Sequence, residues 1–139
     1  MSDVLRGSCS CKAVAVECTR PFRYLTNCHC ENCRKAHGVG VVTWVSFDES
    51  AVRFVGDDAL LGRYVTETRG TRTFCRRCGT RLSFAAPRWP GEIDVAAGIF
   101  DDPLDALPKG HVYADRAPRW CPITDDLPRR GGPTGVELQ

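Results

Sequence analysis

Apolar and polar positions alternate along nearly every patterned stretch of the chain, with a period of two. In "KAVAVEC" (12–18), Ala13 and Ala15 fall on one face and Val14, Val16 and Cys18 on the other. The stretches 39–47, 51–56, 61–68, 81–86 and 92–100 are short and rich in β-branched and aromatic residues. Most are bounded by Gly, Pro or Asp. Successive side chains of a strand point to opposite faces, so this pattern predicts a mainly β domain of about seven to nine short strands. Little helix is expected: one or two turns across Glu31–His37 and a second candidate near Pro103–Leu107. The domain is expected to span residues 4–129. The end of the chain, "RGGPTGVELQ" (130–139), is expected to be mobile.

Composition narrows the class without naming a function. The chain has 139 residues, 42% hydrophobic and 26% charged, with a formal net charge of +2. That length suits one domain with a core of its own, without disulfides. The near balance of charge argues against a nucleic-acid binder, which would show a basic excess. No apolar run approaches a membrane span, and "MSDVLRGSCS" lacks the apolar stretch of a signal peptide, so the cytoplasm is the expected compartment.

The nine cysteines change the picture more than anything else. Seven fall in three tight clusters: Cys9/Cys11, Cys28/Cys30/Cys33 and Cys75/Cys78. In a reducing compartment such clusters point to metal rather than disulfides. Cys75-Arg-Arg-Cys78-Gly79 is a knuckle signature, two thiolates followed by a glycine that lets the backbone turn. Cys9 and Cys11 can complete a tetrahedron with it, giving a four-cysteine structural zinc site. A redox C-x-x-C would need a helix after it, and strand-like "RLSFAA" follows instead.

Cys28, Cys30 and Cys33 form a set of three. His37 and Cys121 are candidates for a fourth protein ligand, while His29 sits between two ligands and is poorly placed to reach. With a fourth ligand the site is structural; without one it has an open position. Three thiolates bring Zn²⁺ to a net charge of −1, which makes a weak Lewis acid but a good holder of a substrate thiolate. A short helix starting near Cys30 would aim backbone N–H groups at the sulfurs. Such a site suits transfer of a one-carbon unit to or from a thiol.

Arg34 and Lys35 follow directly and are the candidates to bind the carboxylates of a thiol such as glutathione. His111 has two readings, a general acid/base or a group that hydrogen-bonds a backbone carbonyl, and the second is preferred. Trp44, Phe47 and Cys18 are expected in the core. Trp120 either walls a pocket or caps the core, and Asp101 and Asp102 mark a turn.

The segments "GSCSCKAVAVEC", "CHCENCRKAHG", "TFCRRCGTRLSF" and "VAAGIFDDP", in that order, resemble the glutathione-dependent formaldehyde-activating enzyme (GFA)/CENP-V family. "PKGHVYADRAPRWCPITDDLPR" is similar to that family's closing segment. The resemblance implies a tent-like β fold pinned by two zinc ions. It places Cys9, Cys11, Cys75 and Cys78 on the structural ion, and Cys28, Cys30 and Cys33 on the catalytic one. It implies a carbon–sulfur lyase of the S-hydroxymethylglutathione synthase type, with glutathione as co-substrate. The chain is compact and lacks the long basic extension of the chromatin-associated members, so chromosome binding is not implied. The rival expectation is a non-catalytic two-zinc β module that binds a partner protein.

Overall fold

In a computed structural model, residues 3–139 are described, and they are mainly β. The strands are β1 (Val4–Ser8), β2 (Val14–Thr19), β3 (Tyr24–Cys28), β4 (Val42–Asp48), β5 (Val52–Gly56) and β6 (Leu61–Val65). They continue as β7 (Thr71–Cys75), β8 (Arg81–Ala85), β9 (Glu92–Ala96), β10 (His111–Val112), β11 (Arg130–Gly131) and β12 (Glu137–Leu138). The α-helix α1 covers Glu31–His37, the stretch the sequence pattern predicts. No helix among the described residues is long and apolar enough to cross a membrane.

The fold divides into two compact units, each built from two stretches of chain. The first runs up to Arg23 and resumes over Val45–Asp105. In it, β1, β2 and β5 form an antiparallel sheet, with Leu5 opposite Cys18 and Val16 opposite Phe54. The period-two pattern of β2 is realised as expected. Val14, Val16 and Cys18 are buried, and burial pushes the Cys18 thiol up to about 12, as befits a small apolar filler. A second set of strands runs β9–β8–β7–β6. Phe47, at the end of β4, is fully buried and meets the rings of Phe22 and Phe100, each at 6.2 Å between centroids.

The predicted helix near Pro103–Leu107 does not form. Pro103 and Pro108 bracket the segment, and a proline disfavours the helical conformation of the residue before it. The preceding residues are committed to β1 instead. The backbone N–H groups of Asp101 and Asp102 donate to the Arg6 carbonyl, and Arg6 N–H donates to the Asp102 carboxylate at 2.7 Å.

The second unit comprises Tyr24–Trp44 and Ala106–Gln139. Here β10 lies parallel to β3, with His111 opposite Asn27 and Val112 opposite Cys28. Trp44 is buried, as expected, and stands edge-on to His37 with 5.2 Å between ring centroids. Residues 130–139 carry a hairpin, β11 with β12. The turn needs the positive φ of Gly132 and Gly135, and Asp115 accepts a hydrogen bond from Gly132 N–H.

Candidate metal centres

The first unit brings Cys9, Cys11, Cys75 and Cys78 together, with all four sulfurs within 4.8 Å of one another. Two tight turns do this. After β1, Lys12 N–H closes on the Cys9 carbonyl at 3.0 Å, with Lys12 in the left-handed region, and Cys9 N–H returns to Val14 O at 2.9 Å. Between β7 and β8, Gly79 N–H closes on Cys75 O at 2.8 Å, with Gly79 at φ +81°. This is the glycine turn that the spacing Cys75-x-x-Cys78-Gly predicts.

Backbone N–H groups point at the sulfurs, as thiolate ligands require. Val14 N–H donates to Cys9 Sγ at 3.3 Å, and Arg77 and Cys78 N–H groups lie 3.4 and 3.5 Å from Cys75 Sγ. The Thr80 hydroxyl lies 3.2 Å from Cys78 Sγ, and together with the Thr80 N–H it holds that thiol down at about 5. The donor set fits a four-coordinate zinc ion, which takes four thiolates in closed structural sites.

The second unit holds the three-cysteine group. Cys28 ends β3, Cys30 is the N-cap of α1, and Cys33 is buried in its first turn. The Cys30 side chain accepts from Cys33 N–H at 3.2 Å, doing the work of a Ser or Asp cap. Gly38, in the left-handed region, stops the helix by donating to Arg34 O at 2.7 Å. The three sulfurs lie within 4.8 Å of one another, Cys28 and Cys33 at 3.6 Å. Hydrogen bonding to Cys30 and Cys33, with burial, pushes the Cys28 thiol far up. Three bare thiolates cannot share this space, whereas a divalent cation among them removes the repulsion.

Among the described residues, no fourth His, Cys, Asp or Glu ligand atom joins that group. His37 faces Trp44 instead. Cys121 packs on Gly40 so closely that a Cβ there would lie 2.6 Å from its sulfur. Trp120 is 71% exposed, so it does not cap the core. Arg34 is half-buried and its Nε donates to the His29 carbonyl at 3.3 Å, which keeps it at the cluster. Lys35 is exposed, and two residues beyond Cys33 means about 200° around the helix.

One arrangement was not foreseen from the sequence. His29 and His111 are both buried, and His29 Nε2 lies 2.8 Å from His111 Nδ1. His111 Nε2 in turn lies 2.9 and 3.2 Å from the two carboxylate oxygens of Asp125. His111 thus spends both ring nitrogens on side chains, not on a backbone carbonyl. Burial and the neighbouring His111 hold the His29 imidazole down at about 4, so it is neutral near pH 7. Asp125 is held below the usual carboxylate range by His111 and by Leu127 N–H.

Comparison with known proteins points to one family. The family model for the glutathione-dependent formaldehyde-activating enzyme matches residues 4–116. A Halomonas elongata protein provisionally named as such an enzyme is 33% identical over 128 residues, covering 86% of this chain and 81% of its own. A Schizosaccharomyces pombe protein named an uncharacterized lyase is 32% identical over 99 residues, covering 68% of this chain and 66% of its own. The crystal structure of a Rhodobacter sphaeroides protein superposes with a TM-score of 0.61 at 27% identity, covering 72% of this chain and 91% of that one.

Proposed function

The chain belongs to the glutathione-dependent formaldehyde-activating enzyme family, and from that premise we propose that it binds two zinc ions and acts as a carbon–sulfur lyase on a small thiol adduct of the S-hydroxymethylglutathione type. The observation that carries this reading is the three-cysteine group, which no fourth ligand atom joins among the described residues. Zinc there, when bound, would supply an open position for a thiol sulfur and favour its thiolate form.

The chain's own residues do the rest. Cys28, Cys30 and Cys33 contribute three negative charges, so the centre is suited to holding a soft sulfur rather than to polarising a carbonyl. Arg34 has five guanidinium N–H donors, one of them committed to the His29 carbonyl, and the others can meet a carboxylate of glutathione. Lys35 is the second cation proposed for that role, at longer reach. In the synthetic direction a bond forms between the thiol sulfur and the carbonyl carbon of formaldehyde, and the thiol proton ends on the new hydroxyl. The lyase direction breaks that carbon–sulfur bond and returns the proton to sulfur. A reducing, cytoplasmic setting keeps all seven ligands as thiols or thiolates.

The test is exchange between free formaldehyde and its glutathione adduct, followed by NMR with zinc-loaded protein. Parent protein should accelerate exchange and Cys30→Ser should not. If parent and Cys30→Ser are equally inert, the lyase reading falls and the partner-binding module takes its place.

A further inference from the structure

His29 is the single residue linking two ligands, Cys28 and Cys30, and the structure grips it from three directions. Its backbone N–H donates to Val112 O at 3.1 Å, its carbonyl accepts from Arg34 Nε at 3.3 Å, and its ring Nε2 meets His111 Nδ1 at 2.8 Å. The first two contacts fix the peptide. The third fixes the side chain, and with it the rotation of the backbone between the two sulfurs.

One hydrogen-bond role along this line is set by chemistry. An ionised carboxylate only accepts, so His111 Nε2 carries the proton shared with Asp125. Between the imidazoles, donation from His29 Nε2–H to His111 Nδ1 leaves His29 Nδ1 bare. That agrees with its surroundings, because the atom is buried with no hydrogen-bond partner among the described residues, and a buried N–H left unpaired is rarer than an unused acceptor. Asp125 thus fixes which His111 nitrogen faces the carboxylate and which faces His29.

Backbone geometry puts the three groups in line. β10 is paired on one side with β3 and on the other with residues 128–129, since His111 N–H donates to Pro128 O at 2.9 Å. Gly110 permits that approach, as a Cβ there would lie 2.7 Å from Pro128 O. Asp125 stands three residues before Pro128. It lies outside the residues that the family model matches.

We propose that Asp125 and His111 are positioning residues for the three-cysteine centre, acting through His29 to hold Cys28 and Cys30 at metal-binding separation. Partners that orient ligands are worth roughly 10–100-fold in metal affinity. Here the orientation is delivered through the residue between two ligands, not through a ligand's own atoms. The inference rests on the two-metal reading above.

The test uses the whole protein loaded with cobalt(II), whose thiolate charge-transfer and d–d bands report each centre. Asp125 is an exposed residue, so Asp125→Ala should keep the fold. It should lower cobalt affinity at the second centre roughly 10–100-fold and shift that centre's bands, leaving the first centre and the thermal midpoint near parent values. Asp125→Asn, whose carbonyl oxygen can still accept from His111 Nε2–H, should recover part of the affinity. Asp126→Ala, the neighbouring acid, should match parent. His111→Gln should reproduce the Asp125→Ala spectrum if it folds, and Asp125→Ala decides the matter alone if it does not. Parent-like affinity and bands in Asp125→Ala overturn the positioning role while leaving the functional reading intact. Equal loss of both metals with a fall in thermal midpoint also overturns it, since the contact is then merely structural. A parent protein that takes up only one cobalt overturns both inferences.

Discussion

The Thr80 hydroxyl joins the two cysteine turns of the first unit. It accepts from Ser10 N–H at 3.0 Å and lies 3.2 Å from Cys78 Sγ. Cys78, ordinarily titrating near 9.0, is held at about 5 chiefly by this hydroxyl. A depressed thiol keeps its thiolate, and the stability that goes with it, until pH falls through the lower value. Protons therefore compete with a metal for this sulfur only at acidic pH. Thr80→Val removes the hydroxyl, the thiol rises toward its ordinary value, and metal should leave at higher pH than in the parent. Zinc release against pH, read with a chromophoric chelator, measures the shift. Coincident release curves would remove Thr80 from the site.

The four-cysteine centre ties residues 66 positions apart, from Cys9 to Cys75, and Cys75 is fully buried. Structural zinc contributes on the order of 10 kcal/mol to folding, comparable to the whole stability of a domain. Cys75→Ser should therefore unfold or aggregate. A soluble Cys75→Ser protein with the parent thermal midpoint would show that no structural ion sits there.

Substitution in the second centre should behave otherwise. Cys30 is both a proposed ligand and the cap of α1, and serine is among the best capping residues, so Cys30→Ser removes a proposed ligand while keeping the cap. Zinc content should fall from two toward one per chain, with far-UV circular dichroism unchanged. Loss of fold as complete as in Cys75→Ser would make the second metal structural.

These two centres were legible in the sequence because their ligands lie in short local patterns. Cys28, Cys30 and Cys33 sit within six residues, and the knuckle at Cys75–Gly79 carries its own turn signal. Helix α1 was readable from the same stretch, and the structure ends it at Gly38. Strand β1, "VLRGS", was not: Leu5 and Gly7 face inward and Arg6 outward, but Gly7 has no apolar side chain to mark the inner face. Gly7 is there because Ile99 O would lie 2.7 Å from a Cβ, a contact 92 residues away in the chain. The His29–His111–Asp125 line was hidden for the same reason. Each member is unremarkable alone, and 82 residues separate the two imidazoles. Periodicity reports on which face a residue takes, and spacing on neighbours. Neither reports on parallel pairing of β3 with β10.

The open position proposed for the second centre gives the sharpest chemical expectation. Among the described residues three sulfurs converge and no fourth ligand atom joins them, so an external thiol should complete the tetrahedron. Zinc-type centres take the thiolate, and binding therefore requires an ionisable thiol and releases a proton. Cobalt-loaded protein titrated with glutathione should gain thiolate-to-metal charge-transfer intensity. S-methylglutathione, with the same carboxylates and ammonium but no ionisable thiol, should leave the bands unchanged. Arg34→Ala should weaken glutathione binding several-fold without altering the final spectrum, because a guanidinium that steadies a carboxylate adds affinity and orientation but is no metal ligand. A response to S-methylglutathione equal to that of glutathione would mean that binding does not run through sulfur. No response to glutathione, cysteine or another small thiol would mean that the position is closed, and the lyase assignment would go with it.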